Sequence, residues 1–162
     1  MGWEKDCASS VRDLTRVLNK AGQQGVVLLS NMTTSGLKAG GLTADPVHPE
    51  RAELVELSTK FDDEIGWVIR DIEKVISLCR MKTSERAAMM QKVESMHKEV
   101  HELYEDLLKG SLSWGHMERA ITQHGLALET SKKVDMLESG IQEVKHMAQE
   151  VAINNISEGT GV

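Results

Sequence analysis

The hydrophobic residues of this chain recur at alternating spacings of four and three, the pattern of α-helices that pack along the a and d positions of a heptad repeat. We call this line of positions the seam of a helix. Such series cover residues 7–32, 54–79, 89–107, 117–128 and 134–151. The last two are offset by a shift in register, which changes the local winding of a helix without ending it. No stretch alternates with a period of two over strand length, so we predict an all-α protein with four long helices.

The breaks between these series predict how the chain is organised. Residues 33–49 are rich in glycine and threonine and contain both prolines. They are predicted to be a flexible linker that follows an N-terminal helix at 1–32. Residues 50–155 are predicted to form a helical hairpin and coiled-coil region of three helices, and residues 156–162 a disordered tail.

The narrow seams indicate how the helices pack. A heptad seam is narrower than the apolar face of a typical globular helix and suits coiled-coil packing, within the chain or against other subunits. Gly25 in the first seam and Ser58 in the second are small residues, beside which a partner side chain can insert. We therefore predict an elongated helical bundle whose seams are completed partly by partner subunits.

Composition excludes several classes of function. The 162 residues carry a net charge of −6 and no basic block, which disfavours direct nucleic-acid binding because phosphate neutralisation needs clustered Lys and Arg. Aromatic residues make up only 3 %, which disfavours a pocket for a small-molecule substrate and hence an enzyme. No apolar run approaches membrane-spanning length, so no membrane insertion is predicted.

The N-terminus and the cysteines predict the compartment. The first residues lack the charged and apolar regions of a signal peptide. Cys7 and Cys79 are too few for a disulfide framework and lie on seams, so they are predicted to be reduced, buried, apolar residues. We therefore predict an intracellular protein, either nuclear or cytoplasmic.

Two Glu-x-x-His pairs raise the question of a metal site. Glu94 precedes His97 and Glu143 precedes His146 at the spacing that di-metal helical bundles use. The heptad assignment puts His97 at e, Glu94 and His101 at b, Glu143 at c and His146 at f, so none lies on a seam. The pairs are therefore interpreted as solvated helix faces. His97 and His101 could jointly bind zinc or nickel adventitiously, but no metal site and no cofactor are predicted.

Other chemical candidates are few. His124 is the only ionisable seam residue, and a histidine at such a position is usually a core or interface residue rather than a pH sensor. No nucleotide-binding or nucleophile motif occurs, so no catalytic residue is predicted. Trp67 lies at position c, away from the seam. It either covers a neighbouring helix or serves as a partner-facing anchor, since tryptophan is enriched in interface hot spots.

The stretch "ELVELSTKFDDEIGWVIRDIEKVI" carries a family resemblance. Its Phe61-Asp62 core followed by Ile65, Val68 and Ile72 resembles the second helix of the subunit 21 family of the Mediator complex. The order of elements is similar over most of residues 10–152. The resemblance implies a nuclear, non-catalytic subunit that pairs with the subunit 7 partner through a helical bundle and coiled coil. It also implies a role in relaying contacts between regulators and RNA polymerase II.

These observations predict a non-catalytic scaffold or interaction subunit of a larger complex, with a Mediator-like transcription coregulator as one candidate. The alternatives are a coiled-coil subunit of a kinetochore, vesicle-tether or ciliary complex, and a stand-alone four-helix bundle with a Glu-x-x-His metal site. The predicted partners are other helical protein subunits. The residues predicted to bind them are Phe61, Ile65, Trp67, Val68, Ile72, Met89, Val93, Met96, His97, Val100, Leu103, Leu137, Ile141 and Val144.

Overall fold

The computed structural model describes residues 2–38, 49–109 and 119–160. They form four α-helices and, within those ranges, no strand, so the predicted all-α class is confirmed. The helices are α1 (Gly2–Lys38), α2 (Pro49–Leu78), α3 (Thr83–Lys109) and α4 (Arg119–Thr160). Helix α1 continues past the predicted helix end at residue 32, and α4 continues into the predicted tail. None of these helices is long and apolar enough to cross a membrane.

Cross-helix contacts show that consecutive helices run antiparallel. Cys7 near the start of α1 is bonded to Cys79 just after the end of α2. Arg51 near the start of α2 donates a hydrogen bond to the carbonyl of Leu108 near the end of α3, at 3.2 Å. Ion pairs between α3 and α4 show that these two helices likewise run in opposite directions, and α1 packs against both α2 and α4. The described helices therefore form an up-down-up-down bundle, in which the interfaces of α1 are the most extensive.

Among the described residues the heptad seams close within the chain, except at the predicted seam residue Leu128, which is 50 % exposed. One hydrophobic core draws on all four helices, with fully buried members such as Leu14, Phe61, Val93 and Val144. The described seam positions, which the sequence assigned partly to partner subunits, are thus mostly covered by helices of the same chain. The physical reason is that four antiparallel helices around one axis bury one another's seams. Packing of only two helices would leave part of each seam exposed.

The small seam residues are also used inside the chain. A Cβ built on Gly25 would lie 2.9 Å from Phe61 Cε1 and closer still to Leu137, so side chains of α2 and α4 fill this position. Ser58 is buried and hydrogen-bonds to the side chain of Tyr104 on α3. Burial raises the pKa of Tyr104 above its ordinary value of 10.0, and the hydrogen bond with Ser58 partly opposes this. The expectation that a partner side chain inserts beside Gly25 or Ser58 is therefore wrong.

The two cysteines form a disulfide. Cys7 and Cys79 are bonded with an S–S distance of 2.07 Å and a Cα–Cα distance of 4.9 Å, and both are buried. Their predicted burial is confirmed, whereas their predicted reduced state is wrong. The antiparallel arrangement brings the start of α1 to the end of α2, which places together two residues 72 positions apart in the sequence.

A buried asparagine fixes the same end of the bundle. The Oδ1 atom of Asn155 accepts a hydrogen bond from the backbone N–H of Arg80 at 2.7 Å. Its Nδ2 group donates to the carbonyls of Arg80, at 2.9 Å, and Val151, at 2.7 Å. The side-chain amide of Asn155 hydrogen-bonds to both the N–H and the carbonyl of Arg80. It therefore holds the turn between α2 and α3 against α4.

Candidate functional site

The exposed surface of α2 carries the largest apolar side chain that the described residues present to solvent. Trp67 is 52 % exposed, and the guanidinium of Arg70, one turn later, lies 5.1 Å from the centre of its ring. Neighbouring positions on this side of the helix are charged, including Lys60 and Asp63. We call this surface the Trp67 face. An aromatic centre with a charged rim is the usual composition of a protein-binding hot spot.

Gly66 lies directly beside this tryptophan. A Cβ added there would have no atom within 4 Å, so the glycine is not required by packing inside the chain. Glycine within a helix costs roughly 0.5–1 kcal/mol relative to alanine. Gly25, in contrast, admits the side chains of Phe61 and Leu137. A helical glycine that lowers stability and is not needed for packing is more often found at functional sites than elsewhere.

The other residues predicted to bind partners lie elsewhere. Apart from Trp67 and the half-buried His97, every member of the predicted set is buried in the core of the chain's own bundle. These side chains stabilise the fold, and in the folded chain they do not form a surface. Trp67 is half exposed, so a neighbouring helix does not bury it, and its role as a partner-facing anchor stays a prediction.

A second group of residues lies where α2 meets α3, and we call Asp62, His97 and His101 the histidine cluster. The Nε2–H group of His97 donates to Oδ1 of Asp62 at 2.6 Å, and Nδ1 of His101 lies 4.0 Å from the same oxygen. On the other side of its ring, His101 Nε2–H donates to Oε1 of Glu105 at 2.8 Å. One potential ligand atom from each member lies within 4.8 Å of the others.

The structure separates the Glu-x-x-His pairs considered from the sequence. Glu143 pairs with Lys92 at 3.0 Å, and His146 pairs with Glu150 on its own helix at 3.1 Å. Both side chains are at least half exposed, as their heptad positions predict. His101 was predicted to lie well away from the seam, but its side chain is only 35 % exposed. The reason is that α3 uses one flank of its seam against α2 and thereby covers the b position.

Asp62 was not among the candidate ligands derived from the sequence. It is adjacent to the seam residue Phe61 and therefore occupies position e, the same heptad position as His97. In antiparallel packing, equivalent flanks of two helices can face each other. The signal was therefore present in the heptad assignment, but it required knowing that α2 and α3 pack side by side in this register.

Some candidates lie outside the part of the chain that the structure describes. The side chain of the seam residue His124 is not described, and neither are those of the other two tryptophans of the chain, Trp3 and Trp114. Comparison of the chain with protein-family models, with curated proteins and with solved structures finds no match. The resemblance to the Mediator subunit 21 family therefore stays a prediction from the sequence. The structure establishes an all-α four-helix bundle.

Proposed function

We propose that this chain is a non-catalytic helical interaction module that binds a protein partner through the Trp67 face. The observation that carries the proposal is the half-exposed Trp67, which lies off the seam on a bundle whose described seam positions are mostly buried. Burying an exposed tryptophan against a partner removes a large apolar area from water and offers the Arg70 guanidinium a rim contact. The finer assignment, to a Mediator-like coregulator, is supported by the sequence resemblance alone.

The unfilled space beside Gly66 supports the same surface. Without a side chain at this position, a partner can approach the backbone of α2 next to the tryptophan ring. The mixed charges around Trp67 fit a polar rim that sets orientation, whereas a single-sign patch would indicate nucleic acid or an anionic surface. The module thus presents one aromatic anchor on a rigid helix.

Trp67→Ala tests the proposal most directly. A photo-crosslinking residue placed at the exposed position 63, beside Trp67, should capture a partner in cells, and the same residue at Val27, exposed on α1, should not. Purified partner should then bind Trp67→Ala more weakly by about 2 kcal/mol or more, the scale of a hot-spot residue. The matched control Val27→Ala should bind like the wild type. Equal binding by Trp67→Ala and wild type would contradict the proposal.

Gly66→Ala separates binding from stability. The added methyl group meets no neighbour, so we expect the free energy of unfolding to rise by about 0.5–1 kcal/mol in chemical denaturation. Partner affinity should fall in the same protein, because the methyl group occupies the space beside Trp67. A variant that is both more stable and unchanged in affinity would remove Gly66 from the binding surface.

A further inference from the structure

We propose that Asp62, His97 and His101 form a binding site for one divalent transition-metal ion of the zinc type. The site lies between α2 and α3 and is independent of the Trp67 face. Its ligands are two imidazole nitrogens and one carboxylate oxygen, a donor set that zinc accepts in three-ligand sites with one position left for water. Calcium and magnesium prefer oxygen ligands throughout and do not suit it.

The positions of the ligand atoms are close to those that a tetrahedral ion requires. His97 and His101 are four residues apart on α3, so their rings stack along one face of the helix, with centres 5.7 Å apart. Asp62 approaches from α2 with Oδ1 at 2.6 Å from His97 Nε2 and 4.0 Å from His101 Nδ1. Zinc bonds of about 2.0–2.2 Å place neighbouring ligand atoms about 3.3 Å apart. Side-chain shifts of about an ångström therefore bring all three to one ion. A neutral His97 that binds the ion through Nε2 carries its ring proton on Nδ1 instead.

The protonation pattern of His101 also points to a ligand. Its Nε2–H is engaged by Glu105, which leaves Nδ1 as the nitrogen with a free lone pair. This Nδ1 atom is buried and has no hydrogen-bond partner among the described residues. It faces the oxygen of Asp62, which is itself an acceptor. A cation between the two atoms satisfies both, whereas an ordinary Asp62–His97 ion pair leaves Nδ1 unpaired.

The surroundings of the cluster match those of metal sites. The carboxylate of Glu105 on the far nitrogen of His101 forms the carboxylate–histidine–metal arrangement that orients the ring. The rings of Phe61 and Tyr104 flank the two histidines at centre distances of 5.7 and 5.9 Å. This partly apolar shell strengthens electrostatic attraction to an ion.

The expected consequence of binding is a clamp between two helices. Asp62 belongs to α2 and both histidines belong to α3, so one ion cross-links this interface. A ligand that binds only the folded state raises stability in proportion to the logarithm of its concentration over its dissociation constant. The ion should therefore raise the melting midpoint of the bundle.

Calorimetric titration of the full chain with zinc chloride, after removal of metals by a chelator, tests the site. We expect saturable binding of one Zn²⁺ per chain and no binding of Mg²⁺ or Ca²⁺. Asp62→Asn and His101→Gln should each weaken Zn²⁺ binding by about tenfold or more, and Glu105→Gln by about 10–100-fold. Asp62→Asn keeps an acceptor for His97, so loss of affinity in this variant does not reflect loss of the fold.

The matched control is His146→Gln, which removes an exposed histidine that has its own acidic partner on α4. It should bind Zn²⁺ within about twofold of the wild type, and circular dichroism should show equal helicity in all variants. At equal concentration, Zn²⁺ should raise the melting midpoint of wild type and His146→Gln clearly more than that of His101→Gln. The absence of one-to-one binding would overturn the site. So would equal affinity in wild type and Asp62→Asn, or an equal loss in His146→Gln.

Discussion

Loss of the Cys7–Cys79 disulfide is expected to lower the free energy of unfolding by about 4 kcal/mol. The bond joins residues 72 positions apart, so it removes a large amount of loop entropy from the unfolded chain. Thermal and denaturant unfolding of oxidised and reduced wild type should show this difference. The reduced wild type is the matched control for Cys7→Ala and Cys79→Ala, because it keeps both sulfur atoms and separates the cross-link from the lost volume.

Either single alanine variant should lose about as much stability as the double variant, since one substitution already breaks the bond. Equal melting midpoints for oxidised and reduced wild type would contradict the assigned stabilising role of the disulfide. The bond also bears on the compartment, because stable disulfides form in oxidising compartments and are rare in the cytosol and nucleus. It therefore stands against the intracellular location predicted from the sequence. Thiol alkylation of the chain in its native cells, before any reduction, would show whether the two cysteines are bonded or reduced there.

Phe61→Ala is expected to destabilise the bundle by about 3–5 kcal/mol, the usual cost of removing a buried aromatic side chain. Phe61 is 1 % exposed and packs into the space left by Gly25 on α1, beside Leu137 of α4. Its removal leaves a cavity at the point where three helices meet. Denaturant unfolding followed by circular dichroism measures the effect.

The matched control is Val55→Ala on the same helix, where the side chain is 43 % exposed. Its effect should lie within about 0.5 kcal/mol, as for most surface substitutions. Phe61→Leu should cost less than Phe61→Ala, because leucine fills more of the cavity. A loss of under about 1 kcal/mol in Phe61→Ala, a third of the smallest expected cost, would show that Phe61 is not central to the core.

The sequence was sufficient for the presence of the helices and for most of their buried faces, although the predicted seam residue Leu128 is half exposed. A period of about 3.6 residues is a local property, so residues such as Leu14, Val93 and Val144 could be assigned to the core without knowledge of their neighbours. The same local pattern cannot distinguish a seam closed by the same chain from one closed by another subunit, because both bury the same positions. Closure within the chain therefore emerged only from the fold.

The features that depend on two distant segments were those that the sequence did not reveal. The Cys7–Cys79 bond requires that the start of α1 meet the end of α2. The histidine cluster requires that Asp62 on α2 face His97 on α3 in one register. The pair of histidines was visible from its spacing, but the acidic third member was not. Trp67 was recognised as lying off the seam because that conclusion needed only its own helix.

The claim on which the other conclusions depend is that the seams close within one chain. Its most direct test is the thermal melt of the purified full chain over a hundredfold range of protein concentration, followed by circular dichroism. Closure within the chain predicts a single cooperative transition whose midpoint does not depend on concentration. A midpoint that rises with concentration, or a broad transition that sharpens only when another subunit is added, would show that the seams are shared between chains.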